Sequence, residues 1–112
     1  MAYDLELEKR IDGIVDSWDV RPVKKSMFGG IGYLVGGNMA FGVHGTELLI
    51  RTDTEQGDKL LENNGVRHFE MGGRKSMKNW YLVNIDKAEG KLKLSCFLEI
   101  SLDYAQSLPV KK

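Results

Sequence analysis

Residues 27–45 have the sequence Met-Phe-Gly-Gly-Ile-Gly-Tyr-Leu-Val-Gly-Gly-Asn-Met-Ala-Phe-Gly-Val-His-Gly and hold seven of the thirteen glycines. The short apolar runs Ile31–Val35 and Met39–Val43 are separated by Gly36-Gly37-Asn38, which is a hairpin signal because such turns need positive φ. His44-Gly45-Thr46 gives a second tight turn. Further apolar runs on either side extend the pattern, so we predict an antiparallel meander of three or four strands between Lys24 and Arg51.

A glycine-rich run can also bind phosphate, which is the alternative to the strand interpretation. A dinucleotide-binding fingerprint places its glycines between a strand and a helix, with the helix N-terminus at the pyrophosphate. Here Gly30-Ile31-Gly32 is followed by strand-type residues and a turn, and the Gly-Lys-Ser/Thr of a Walker loop is absent from the chain. We therefore interpret Gly29, Gly30 and Gly32 as space for a bulge, a sharp bend or close packing.

Helical periodicity appears before the meander and again after it. The spacing predicts a first helix over Tyr3–Trp18, ended before Pro22. Its apolar stripe is Leu7, Ile11, Ile14, Val15 and Trp18. Asp53 is predicted to cap a second helix, with Gln56 completing a capping box and Asn63-Asn64-Gly65 providing a left-handed stop.

The last third of the chain predicts two strands and a long helix. The strands are expected over Val66–Met71 and about Lys78–Ile85, and the helix from a cap at Asp86 to about Ser107. Two apolar faces follow from its periodicity. One face is Leu92, Cys96, Phe97, Ile100, Tyr104 and Leu108; the other is Leu94, Leu98, Leu102 and Ala105. We expect the sheet to cover one face and the first helix or a second copy of the chain to cover the other.

Length and composition indicate one domain over residues 1–112. The predicted order of a helix, three or four strands, a helix, two strands and a helix makes it an α+β domain with an antiparallel sheet. Sixteen basic and sixteen acidic side chains cancel, so no overall field attracts nucleic acid or anionic lipid. The charged N-terminus, the short apolar runs and the lone Cys96 favour a cytoplasmic protein without a membrane segment.

No set of residues with a recognisable catalytic pattern appears in the sequence. His44 and His68 lack acidic residues at a metal-like spacing, and Cys96 lies among apolar neighbours as a small core residue. We therefore predict no catalytic residues, no metal site and no cofactor. An enzyme would require a deep pocket with polar groups converging near Tyr33, His44 and Trp80.

A basic segment, Met71-Gly-Gly-Arg-Lys-Ser-Met-Lys-Asn-Trp-Tyr81, offers a candidate binding site. Lysine and arginine beside aromatic rings are typical of anion or nucleic-acid contacts. The alternative is a solvated loop with its tryptophan buried as an anchor. The candidate binding residues are Lys24, Lys25, Arg74, Lys75, Lys78 and Trp80.

Five blocks of the sequence together resemble the TfoX N-terminal domain family, also called TfoX/Sxy. They are Lys25-Ser-Met-Phe-Gly-Gly-Ile-Gly32, Asn38-Met-Ala-Phe-Gly-Val43, Leu49-Ile-Arg51, Gly73-Arg-Lys-Ser-Met-Lys-Asn-Trp80 and Tyr104-Ala-Gln-Ser-Leu-Pro109. The resemblance implies a two-layer α/β fold with an antiparallel sheet like that of the secretion chaperones. It also implies a bacterial regulator of natural competence acting with the cyclic-AMP receptor protein, here as a stand-alone domain without known catalytic residues.

Two functional hypotheses follow. The first is a non-enzymatic interaction module that binds a protein partner, or a second copy of itself, through the last helix or the open sheet edges. The second is a weak nucleic-acid or anion binder that uses the basic segment around Arg74–Lys78.

Overall fold

The computed structural model describes residues 4–27, 30–70, 76–88 and 93–109; of Met27, Glu70 and residues 76–78 it describes the backbone alone. A helix, four strands, a helix, two strands and two helices follow one another along the chain. Their bounds are α1 Leu5–Val15, β1 Val23–Met27, β2 Gly30–Val35, β3 Asn38–His44, β4 Glu47–Arg51, α2 Thr54–Leu60, β5 Val66–Glu70, β6 Ser76–Val83, α3 Ile85–Ala88 and α4 Leu94–Ser107. The predicted α+β class is confirmed.

All six strands form one antiparallel sheet in the order β1-β2-β3-β4-β6-β5. The predicted meander is present as β1 to β4. Its β2–β3 turn has Gly36 at φ 60° and Gly37 at φ 82°, and the next turn has Gly45 at φ 62°. Because β6 pairs with β4, the β5–β6 hairpin adds its second strand to the meander and leaves β5 at the edge.

Close packing of β2 against β3 accounts for two of the glycines. A Cβ atom on Gly30 would lie 1.8 Å from the carbonyl oxygen of Val43, and one on Gly42 would lie 2.2 Å from that of Ile31. No side chain fits at either distance. A register shift between Tyr33 and Leu34 adds a β-bulge to the same strand pair. Gly29 lies outside the described residues.

The main core lies between one face of the sheet and the helices. Leu7, Ile11 and Val15 of α1 are buried in it as the predicted stripe requires, while Ile14 and Trp18 are half-buried against it. Helix α1 begins after Asp4, whose carboxylate accepts from the amides of residues 6 and 7. Helix α4 packs on β2, β3 and β4 and contacts α1.

A second, smaller cluster lies on the other face of the sheet. Met39, Leu49, Phe69 and Leu82 are buried there. The Phe69 ring centroid lies 5.3 Å from that of His44, although β4 and β6 separate β5 from β3 in the sheet. Phe69 lies within the register shift of β5 between His68 and Glu70, so the contact coincides with an irregular part of that strand.

The long last helix predicted from Asp86 is wrong at its start. The structure has the short α3, with Asn84 accepting from the amide of Lys87, and then α4 from Leu94. The side-chain amide of buried Asn63 donates to the Ala88 carbonyl at 3.3 Å, so this carbonyl has a partner from another segment. Leu92 lies outside the described residues.

The end of α2 also differs from the prediction. Asp53 caps α2 as expected, accepting from the Gln56 amide at 2.7 Å. The left-handed stop at Asn63–Gly65 is wrong, because Leu61 follows α2 in a right-handed conformation and Gly65 is not among the glycines with positive φ. The Asn63 carboxamide oxygen instead accepts from the Gly65 amide at 2.9 Å.

Candidate functional site

The two basic candidates on β1 lie on opposite faces of the sheet. Lys24 pairs in register with Tyr33, on the helix-covered face, and Lys25 pairs with Gly32. The Lys24 ammonium lies 2.5 Å from Glu8 and 3.1 Å from Asp12, both on α1. Burial lowers the pKa of Lys24, but hydrogen bonds and charges from these carboxylates outweigh it, and the pKa is raised above its ordinary value. Lys24 is therefore a neutralised tether between β1 and α1.

The other basic candidates fall largely outside the described part of the chain. Arg74 and Lys75 lie outside the described residues, and Lys78 is placed on β6 by its backbone alone. Trp80, the aromatic candidate, is described. It is half-buried against the second cluster, which matches the interpretation of an anchoring tryptophan in part.

Trp80 is part of a cluster that the sequence alone did not suggest. The guanidinium carbon of Arg51 lies 5.2 Å from the centroid of the Trp80 ring and 5.6 Å from that of Tyr104. These are distances at which a cation is attracted to an aromatic ring. Arg51, Trp80 and Tyr104 are called the Arg51 cluster below. Each residue comes from a different element (β4, β6 and α4). Sequence periodicity describes one element at a time, so it cannot predict a contact among three of them.

Backbone hydrogen bonds fix the Arg51 cluster at the end of β4. Arg51 and Trp80 are paired in register. Just beyond them, the Thr52 amide donates to the Asn79 carbonyl and the Asn79 side chain donates to the Thr52 carbonyl, both at 2.9 Å. Asn79 has φ 72°, a left-handed conformation that is uncommon for a residue other than glycine and often stabilised by its short polar side chain. Trp80 is therefore held next to Arg51 by a specific local structure.

Among the described residues, Arg51 has no carboxylate partner of the kind that Arg67 and Arg21 have. Arg67 forms two hydrogen bonds with Glu47, at 2.6 and 3.0 Å, and Arg21 lies 3.7 Å from Asp16. Within the described ranges, no hydrogen bond or ion pair reaches the Arg51 guanidinium, and its Nε is shielded from solvent without a partner. Among the described residues, the contacts of the Arg51 guanidinium are therefore with two aromatic rings and not with a carboxylate.

A groove of about 240 Å³ adjoins the cluster through Tyr104. It runs between the start of α2 and the second half of α4. Its lining is Thr52, Asp53, Gln56, Ile100, Asp103, Tyr104 and Ser107. The Asp53 carboxylate is engaged in capping α2, and Ser107 donates to the Tyr104 carbonyl at 2.6 Å. The groove thus places two acidic residues, Asp53 and Asp103, next to Tyr104 of the Arg51 cluster.

The residues proposed for an enzyme pocket are not brought together. Tyr33 lies in the main core and donates to Asp12 at 2.6 Å, whereas His44 and Trp80 contact the second cluster on the opposite face. His68 packs against Tyr81, with ring centroids 5.2 Å apart. Among the described residues, no three His, Cys, Asp or Glu side chains are grouped as a metal site would need. Nor does the described part contain a helix of the length and apolarity that crossing a membrane requires.

Comparison with known proteins relates the chain to a protein family. The family model of the TfoX N-terminal domain matches residues 20–105. No curated protein and no solved structure matches the chain. The matched range includes Arg51, Trp80 and Tyr104 and all six strands. Because it covers well over half of the 112 residues, the chain belongs to the TfoX N-terminal domain family.

Proposed function

We propose that this chain is a non-enzymatic, TfoX-like interaction module of the bacterial cytoplasm. In this proposal it binds a protein partner and through it takes part in the transcriptional regulation of competence. Membership of the TfoX N-terminal domain family supports the TfoX-like assignment. The surface of α4 supports the binding of a protein partner.

The observation that carries the proposal is a half-exposed apolar stripe on α4. Cys96, Ile100, Tyr104 and Leu108 follow one another at intervals of four residues and are all partly exposed. A parallel stripe of the same helix is buried in the chain and consists of Leu94, Phe97, Leu98, Ser101 and Ala105. Since the buried stripe already contacts the sheet and α1, the half-exposed stripe is left for an additional partner.

The buried residues of α4 limit how two copies of the chain could associate. Leu94 and Leu98 have exposed fractions of 2% and 0%, so two copies of the chain cannot meet through them. A second copy would have to use the half-exposed stripe, which is also the surface proposed for a different protein. We propose the different protein as the occupant. Sedimentation at micromolar concentration should therefore show a monomer, and a dimer would favour the second copy.

A pair of neighbouring substitutions tests the stripe. Ile100→Lys places a charge in it, whereas Glu99→Lys places the same side chain on an exposed position of the same helix. In capture experiments from native cytoplasm, we expect Glu99→Lys to retain the proteins bound by the unmodified chain and Ile100→Lys to lose them. Circular dichroism must show both variants folded. Equal capture by both folded variants would contradict the proposal.

A further inference from the structure

We propose that the Arg51 cluster is the anchor for an acidic side chain of the protein partner. This inference rests on the proposed function and names the chemistry that the partner must present. Tyr104 belongs both to the cluster and to the half-exposed stripe of α4. The two surfaces are therefore continuous, and one bound segment can contact both.

Arg51 carries its positive charge in a partly buried position. Removing a charge from water is costly unless it is paired, and arginine is ionised in proteins at all ordinary pH values. Arg51 is partly buried, its Nε is shielded from water, and no described residue supplies a carboxylate. A carboxylate from outside would therefore find an unneutralised charge in a partly dehydrated setting, where an ion pair is stronger than at a fully exposed position.

The geometry around the Arg51 guanidinium determines which of its nitrogens a carboxylate can reach. The guanidinium is flanked by the Trp80 and Tyr104 rings, and of its three nitrogens only Nε is both shielded and without a partner. The two Nη nitrogens are therefore the atoms that an incoming carboxylate can reach, and they can donate to its two oxygens in parallel. The rings also restrict the arginine before binding, which reduces the conformational entropy lost on association.

The surroundings of Arg51 favour a protein carboxylate over a polyanion as its ligand. The neighbouring groove carries Asp53 and Asp103, which repel a chain of phosphates more strongly than a single carboxylate bound at Arg51. Ile100 and the two aromatic rings suit the apolar groups of a peptide. Arginine, tryptophan and tyrosine are also the residue types enriched at the energetic centres of protein interfaces. Together these features favour an acidic peptide segment.

The test is an NMR titration of the unmodified chain with N-acetylglutamic acid amide. Matched probes are N-acetylglutamine amide, which lacks the charge, and inorganic phosphate. The signals are the Nε–H of Arg51 and the indole N–H of Trp80. Arg67, which is paired with Glu47, and Trp18, which packs on Phe41 with ring centroids 5.9 Å apart, are internal controls.

We expect a saturable shift of the Arg51 and Trp80 signals with the glutamic acid amide at millimolar concentration, without a comparable shift at Arg67 or Trp18. Absence of that shift, or an equal shift with the glutamine amide, would overturn the inference. A larger shift with phosphate than with the carboxylate would overturn it in favour of a phosphate ligand.

Substitution separates this inference from the proposed function. Arg51→Lys keeps the charge but removes the forked pair of donors, and Arg67→Lys is the matched change on β5. We expect Arg51→Lys to abolish the Trp80 shift and weaken partner capture at least tenfold, while Arg67→Lys changes neither. If Arg51→Lys captures the partner as well as the unmodified chain, the anchor is wrong but the module stands. Should Arg51→Lys fail to fold, the titration of the unmodified chain decides.

Discussion

Tyr81 is a fully buried residue whose hydroxyl has no hydrogen-bond partner among the described residues. The hydroxyl lies against α2, where a Cβ atom on Gly57 would come within 2.0 Å of it. A buried polar group without a partner costs about 1–3 kcal/mol, so its removal should help. We expect Tyr81→Phe to raise the free energy of unfolding at neutral pH by about 1 kcal/mol, as measured by urea denaturation. A loss of stability would show that the hydroxyl has a partner.

The same residue makes stability depend on alkaline pH. Burial, with smaller contributions from Asp58 and Asp53, raises the pKa of Tyr81 above its ordinary value of 10.0. The folded chain therefore holds this proton more tightly than the unfolded chain does, and stability falls as the pH rises above that value. We expect Tyr81→Phe to make this decline shallower. Denaturation at pH 7 and at several values above 10 measures it, and an unchanged slope would contradict the assignment.

Asp12 joins helix α1 to the first two strands of the sheet. It lies 3.1 Å from the Lys24 ammonium and accepts from the Tyr33 hydroxyl at 2.6 Å. We expect Asp12→Ala to reduce the free energy of unfolding by about 1–2 kcal/mol, because a charge-assisted hydrogen bond and an ion pair are lost. Asp16→Ala is the matched control. Its ion pair with Arg21 is largely exposed, and the change should stay within about 0.5 kcal/mol. Equal effects would show that Asp12 is not a tether.

Two glycines in different elements should respond to alanine with opposite signs. Gly42 lies where a Cβ atom would approach the Ile31 carbonyl to 2.2 Å, so Gly42→Ala should destabilise the β2–β3 pair by about 1–3 kcal/mol or prevent folding. Gly13 lies within α1 with nothing within 4 Å, so Gly13→Ala should stabilise by about 0.5–1 kcal/mol. Thermal unfolding of both variants compares them. A tolerated Gly42→Ala would contradict the close packing of these strands.

Sequence periodicity predicted most elements because it reports local burial. The stripe of α1, the paired-glycine turn before Asn38 and the Asp53 cap depend on neighbouring residues, and each is present in the structure. The end of α3 is not predictable from local periodicity, because the Ala88 carbonyl there accepts from Asn63, which is distant in sequence. The order of β5 and β6 was not predictable for the same reason, since either strand has an apolar pattern that fits beside β4.

The candidate site was less predictable from the sequence than the fold, because it depends on contacts between elements that are distant in sequence. Trp80 is a binding candidate in the sequence because it follows a basic segment. In the described part of the structure, the cation next to its ring is Arg51, which belongs to another strand. Lys24 was expected to add to a basic surface and is instead neutralised by α1. The number of charged residues can be read from the sequence. The charge of a surface also depends on which carboxylates the fold places near each basic side chain. The three-dimensional structure is needed to see that, among the described residues, Arg67 and Lys24 have carboxylate partners and Arg51 has none.

The charge distribution of the whole molecule leads to a prediction about the nucleic-acid hypothesis. The sixteen basic and sixteen acidic side chains balance, and three of the described basic residues (Arg21, Lys24 and Arg67) are engaged in ion pairs. Phosphate contacts provide most non-specific affinity for nucleic acid, and they require unpaired cations on one surface. We therefore expect no retardation of DNA or RNA in a gel-shift assay at low salt. Retardation that falls steeply with added salt and disappears in Arg74→Ala/Lys78→Ala would establish the basic segment as a nucleic-acid site. Because Arg51→Lys retains its charge and lies outside that segment, it should leave such retardation unchanged, which distinguishes the two surfaces in one experiment.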